Sequence, residues 1–130
     1  MAKHKGRNLI YFIMKRFEEY IEGWKEKERL LELRLSSFKS KVWELLPVVA
    51  EKLKSFGAKR IIVFGSLIEG DFKMDSDIDL AVEGLPENKY IEAIIETEKI
   101  LTTTDIDFDL VLYERAYPWI KERVNRGKIL

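Results

Sequence analysis

Two segments of this chain alternate carboxylate and hydrocarbon, residue by residue. The first reads Asp77-Ile78-Asp79-Leu80-Ala81-Val82 and the second Ile106-Asp107-Phe108-Asp109-Leu110-Val111. A period of two marks a half-buried strand, because successive side chains leave opposite faces of the pleat. Ile78, Leu80 and Val82 are therefore expected on a core, as are Ile106, Phe108, Leu110 and Leu112. Asp77 and Asp79 then share the other face, and Asp107 and Asp109 do the same on their own strand. If the two strands are neighbours, three or four carboxylates meet on one surface. Like charges at that spacing repel, and a bound cation is the simplest compensation. Oxygen-only ligands without a nearby histidine suit magnesium better than zinc.

A third apolar run, Ile61-Ile62-Val63-Phe64, leads straight into Gly65-Ser66. A Gly-Ser turn lets backbone N–H groups and a hydroxyl approach a phosphate. Taken singly, each feature has a plainer reading. Gly-Ser is more often just a turn, Asp-x-Asp more often a solvated edge acid, and the rest of a calcium-binding loop is missing. Asp71, Asp75 and Lys73 read as solvated loop residues, and Asp107 as a surface acid.

The remainder reads mostly as helix. From Asn8 to Leu35 an apolar stripe runs through Ile10, Ile13, Phe17, Tyr20, Trp24 and Leu31, interrupted where Lys27 and Arg34 take the seam. Ser36-Ser37 is expected to separate this helix from a second one, about Lys39 to Ser55, which carries Val42, Leu46, Val49 and Leu53. Pro47 is expected to kink or divide that second helix, and Gly57 to stop it. Further helices are expected over Glu87–Leu101 and Ala116–Asn125. Trp24, Trp43 and Trp119 fall at helical spacings and read as packing, and His4 as an exposed tail residue. The expected fold class is α/β (α+β): a small mixed sheet with helices on its apolar face. Residues 39–130 form the domain, and residues 1–38 a helical extension.

Composition narrows the function. The chain has 130 residues and no cysteine, so disulfides, thiolate zinc sites and cysteine nucleophiles are excluded. No apolar stretch approaches the roughly 20 residues of a membrane span, and a cytoplasmic protein is expected. Charge is zero overall, yet residues 1–60 hold 15 Lys/Arg against 8 Asp/Glu, and residues 61–130 hold 8 against 15. The basic half reads as solvated helix faces. With no net positive charge, nucleic acid is not the expected partner. Abundant Lys, Arg and Glu with no Gln is a composition expected of heat-adapted proteins.

The pattern Gly65-Ser66, ten intervening residues, Asp77-Ile78-Asp79, then Phe108-Asp109-Leu110-Val111 resembles the minimal nucleotidyltransferases of the DNA polymerase beta superfamily. These small MNT proteins are often encoded beside HEPN-domain partners, and some act as antitoxins. The resemblance covers roughly Lys39 to Leu130. It implies that Asp77 and Asp79 hold two magnesium ions, and that Asp109 completes the site for the metal that activates an attacking hydroxyl. It also implies that the Gly65 backbone and the Ser66 hydroxyl hold the distal phosphates of ATP. AMP would pass to a hydroxyl, expected to be a tyrosine of a HEPN partner. The alternatives are a non-catalytic subunit that neutralises such a partner by binding, and an enzyme acting on a small molecule. One departure stands out: Glu69-Gly70 replaces the Arg-Gly of many relatives, which removes a phosphate contact and adds negative charge. The N-terminal stripe is expected to be covered by its own domain, a second copy or the partner.

Overall fold

The computed structural model describes residues 2–130, with side chains from residue 8 onward. His4 lies outside the described side chains. The chain divides into two compact units, Met1–Ser37 and Phe38–Leu130.

A single helix, α1, runs Ala2–Ser55. The expected break at Ser36-Ser37 does not occur, and the helix continues through Pro47 as well. Two serines without an adjacent Gly or Pro cost a helix only a few tenths of a kcal/mol each, which is too little to end it. Pro47 costs more, about 3 kcal/mol in a helix interior. Around it, however, Leu46, Val49, Ala50 and Leu53 are all buried, and their burial holds the backbone helical. The chain leaves the helix where Gly57 was expected to stop it. The Gly57 N–H bonds to the Lys54 carbonyl and the Ala58 N–H to the Leu53 carbonyl. In the first unit, Ile10, Ile13, Phe17, Tyr20 and Trp24 are 54–62% exposed.

The second unit is built on four strands: β1 (Arg60–Phe64), β2 (Ile78–Glu83), β3 (Phe108–Leu112) and β4 (Lys128–Ile129). Their order is β3-β2-β1-β4. β1 is antiparallel to both β2 and β4, while β2 and β3 are parallel, so the sheet is mixed as expected. The parallel pair is joined by a crossover that contains α3 (Tyr90–Leu101). One face of the sheet buries Ile61, Val63, Ile78, Leu80, Val82 and Leu110. Buried Val42, Leu46, Val49 and Leu53 of α1, and Ala93 and Leu101 of α3, complete that core.

The opposite face is not left bare. α4 (Pro118–Asn125) lays Ile120 and Val124 on Ile62, Phe64, Ala81 and Val111. The helix at 116–125 was expected on the apolar face with the other two. It packs instead on the face that carries the acids, because β1 is apolar on both sides and needs cover on both. Two short elements escaped the sequence reading. α2 (Ser66–Glu69) is one turn long, and β4 has two residues. Neither is long enough to show a period.

Candidate active site

β2 and β3 run parallel in a register that sets Asp79 directly opposite Asp109. On the other flank of β2, Asp79 is also paired in register with Phe64, the last residue of β1. Alternation puts Phe64, Asp79 and Asp109 on one face, with Asp77 two residues before Asp79 on the same side. The Ile78 N–H donates to the Asp107 carbonyl at 2.9 Å, which carries the ladder to the end of the strands where these acids stand. Asp107 is exposed and lies outside β3, in keeping with its reading as a surface acid.

Gly65 follows β1 and leads into α2, at φ 77° and ψ −147°, a conformation that side chains resist. It has a second constraint. A Cβ at this position would stand 2.1 Å from Asp79 Oδ2, so the Asp79 carboxylate lies directly against the glycine backbone. The turn and the acid thus occupy one place. Ser66 is half-buried and opens α2, where the Ile68 and Glu69 N–H groups bond back to the Gly65 carbonyl.

The electrostatics follow from this packing. Burial pushes the Asp79 carboxyl above its ordinary value of 3.8, opposed by the Arg123 guanidinium and reinforced by Asp109, Asp77 and Glu69. Tyr90 is raised too, first by burial and then by the Asp109 charge, and its hydroxyl donates to the Leu110 carbonyl at 2.6 Å. Glu69 is not a lone negative charge beside the turn. Its carboxylate faces Arg123 Nη2 at 3.6 Å and Arg126 Nη2 at 3.5 Å. Neither arginine was singled out from the sequence, although two cations three apart, one in the last helix and one at its end, were visible there.

The family model for the polymerase beta nucleotidyltransferase domain matches residues 49–130. The chain belongs to this nucleotidyltransferase family. It is similar to a solved minimal nucleotidyltransferase at 24% identity, over 68% of this chain and 91% of the other, with a TM-score of 0.56. That likeness is one of fold. Two further similarities are to chains of toxin–antitoxin structures. One, solved with AMP-PNP, is 27% identical over 70% of each chain, with a TM-score of 0.49. The other is a complex from Shewanella oneidensis of a tri-AMPylated HEPN toxin with an MNT antitoxin. It is 27% identical over 72% of this chain and 69% of that one, with a TM-score of 0.43. No curated protein matches.

Nucleotidyltransferase chemistry implies divalent metal, and the donor set agrees with it. Asp77, Asp79 and Asp109 offer only carboxylate oxygens, and a divalent cation there would offset the burial and the neighbouring acids that together raise Asp79. Among the described residues, no three acidic or histidine side chains converge closely enough to form a finished metal cage. The backbone does not keep these acids apart, since Asp79 and Asp109 are register partners. Ser66→Ala is expected to weaken ATP binding by up to about tenfold without lowering the melting temperature. If the hydroxyl holds a phosphate, as the resemblance implies, the loss is that of one bond to a charged group. Isothermal titration of ATP into both proteins checks it, and equal affinities would reduce Ser66 to a turn residue.

Proposed function

We propose that the chain transfers AMP from ATP to a hydroxyl on a protein partner, a tyrosine of a HEPN-domain protein, and so acts as the antitoxin of that partner. The observation that carries the reading is the placement of Asp79 between the Gly65-Ser66 turn and Asp109. Family membership supports the reaction class, and the motif resemblance supports the acceptor.

In this reading Asp77, Asp79 and Asp109 would hold magnesium, which when bound stabilises charge on the attacking and leaving oxygens. The chain's own groups do the positioning. The Gly65 backbone and the Ser66 hydroxyl hold the distal phosphates, which turns the α-phosphorus toward the acidic face. The acceptor hydroxyl attacks that phosphorus in line. A new P–O bond forms, the bond to the bridging oxygen of the β-phosphate breaks, and pyrophosphate leaves. In this reading the Asp109 carboxylate, which is exposed, would accept the hydroxyl proton. Most of the rate acceleration comes from orientation and charge stabilisation.

A second reading, a subunit that neutralises its partner by binding alone, draws on the acids not being gathered into a finished metal cage. One experiment separates the two. The chain is incubated with magnesium, ATP labelled on the α-phosphate, and the HEPN-domain protein encoded next to it. Label on a partner tyrosine is expected, and γ-labelled ATP should leave none. A stable complex of the two proteins that acquires no label would favour the binding subunit.

A further inference from the structure

On the face that carries the acids, the Gly65-Ser66 turn also meets a basic wall that comes from a different element. Arg123 in the last turn of α4 and Arg126 just beyond it both reach Glu69, the final residue of α2. The Arg123 guanidinium also lies over the Phe64 ring, 5.9 Å from its centroid, immediately before the turn. Two positive charges thus meet the Glu69 carboxylate beside the turn, and Arg123 is also near enough to attract Asp79.

This wall is firmly mounted. Ile120 and Val124 of α4 are packed on Ile62 and Phe64 of β1. Where the chain leaves α4, Gly127 comes so close to β1 that a Cβ would stand 2.4 Å from the Val63 carbonyl oxygen. Then the Leu130 N–H donates to the Ile61 carbonyl. The arginine backbones are therefore fixed against the strand that delivers Gly65.

The ion pairs themselves are loose. At 3.5 and 3.6 Å they exceed the 2.7–2.9 Å usual for charge-assisted bonds. All three side chains are more than a third exposed: 37% for Arg123, 61% for Arg126 and 39% for Glu69. Water screens such pairs, and they break at little cost. Phosphate offers a planar guanidinium a stronger, bidentate partner.

We propose that Arg123 and Arg126 clamp the distal phosphates of the nucleoside triphosphate, and that Glu69 is the counter-ion that holds them when no nucleotide is present and releases them to it. The acids and the arginines then grip different parts of one ligand on the face that Gly65 and Ser66 border. Glu69 does not spoil the phosphate site. It parks the cations that serve it. This inference rests on the nucleotide-binding reading above.

The test is the dissociation constant for ATP and for AMP, each with magnesium, measured by calorimetry on the full chain and on Arg123→Gln and Glu69→Gln. Arg123→Gln is expected to weaken ATP by about tenfold while changing AMP by less than about twofold. Glu69→Gln frees both arginines and is expected to tighten ATP about threefold. Loss of the Glu69 charge by itself also favours an anion, so the gain counts for the clamp only together with a selective loss of ATP in an arginine variant. Should Arg123→Gln fail to fold, Arg126→Gln, at the more exposed arginine, supplies that loss. Wild-type chain that binds ATP, with Glu69→Gln no tighter than wild type, overturns the clamp but leaves the nucleotide site standing. Wild-type chain that binds no ATP overturns the nucleotide site, and the clamp with it.

Discussion

Asp79→Asn is expected to reduce nucleotidyl transfer by a thousandfold or more, on the order of what loss of a central electrostatic group costs an enzyme, and to raise the melting temperature of the metal-free protein. The two effects have one cause. Asp79 is partly buried, against the Gly65 backbone and opposite Asp109, and its carboxyl is raised by burial and by the neighbouring acids. A carboxyl raised in the folded state binds its proton more tightly folded than unfolded. Stability is therefore lost as pH rises from 3.8, the ordinary aspartate value, through the higher folded value. Asparagine carries no such penalty. The variant should melt higher than wild type at neutral pH in a chelating buffer, and the gap should close as pH falls below about 4. Thermal melts across that range, with transfer assays on the same samples, check both halves. A variant that melts lower at pH 7 would show that the Arg123 attraction outweighs burial and repulsion.

Gly65→Ala carries the second large effect. The backbone there has a conformation with both angles unfavourable to a side chain, which costs about 1–3 kcal/mol. The new methyl would also stand where Asp79 Oδ2 now lies, with Asp79 Cγ only 3.1 Å away. The strained turn and the displaced carboxylate add together, so a fall of about ten degrees in melting temperature is expected, along with loss of ATP binding. Circular dichroism melts and calorimetry on the one variant read both. A protein that keeps wild-type affinity for ATP would mean that Asp79 can turn away without consequence, and that the closeness of turn and acid has no role.

The sheet was legible because its strands announce themselves locally. Alternation through Ile78, Leu80 and Val82, and through Phe108 and Leu110, is a property of neighbouring residues, and the motif from Gly65 to Asp109 is a matter of spacing. The helix at 90–101 was legible for the same reason, although its first turn, Glu87–Lys89, is a tighter 3-10 turn. What the sequence hid was tertiary. Ser36-Ser37 looked like a boundary because serine favours caps. Whether a cap is used depends on what the flanking turns can bury, and buried Val42 and Leu46 lie just beyond it. The face taken by α4 was equally hidden. Nothing in Pro118–Asn125 says which side of the sheet it covers, and only the double-sided burial of Ile61–Phe64 decides it. The partnership of Glu69 with Arg123 and Arg126 spans more than fifty residues of chain, and no local rule reaches that far.

The connectivity of the sheet also sets when the site comes into being. β1 and β2 are successive antiparallel neighbours and can pair across a modest loop. β3 must first travel around the α3 crossover, and α4 and β4 return to β1 only at the end of the chain. Closure across longer separations is slower and entropically dearer. Asp109, Arg123 and Arg126 are all delivered by these late steps, while Gly65, Ser66 and Asp79 are present from the first pairing. A half-folded molecule would therefore own the turn with Asp77 and Asp79, but neither the opposing Asp109 carboxylate nor the basic wall. Nucleotide would have little to hold in it, and would act as a ligand of the completed fold alone.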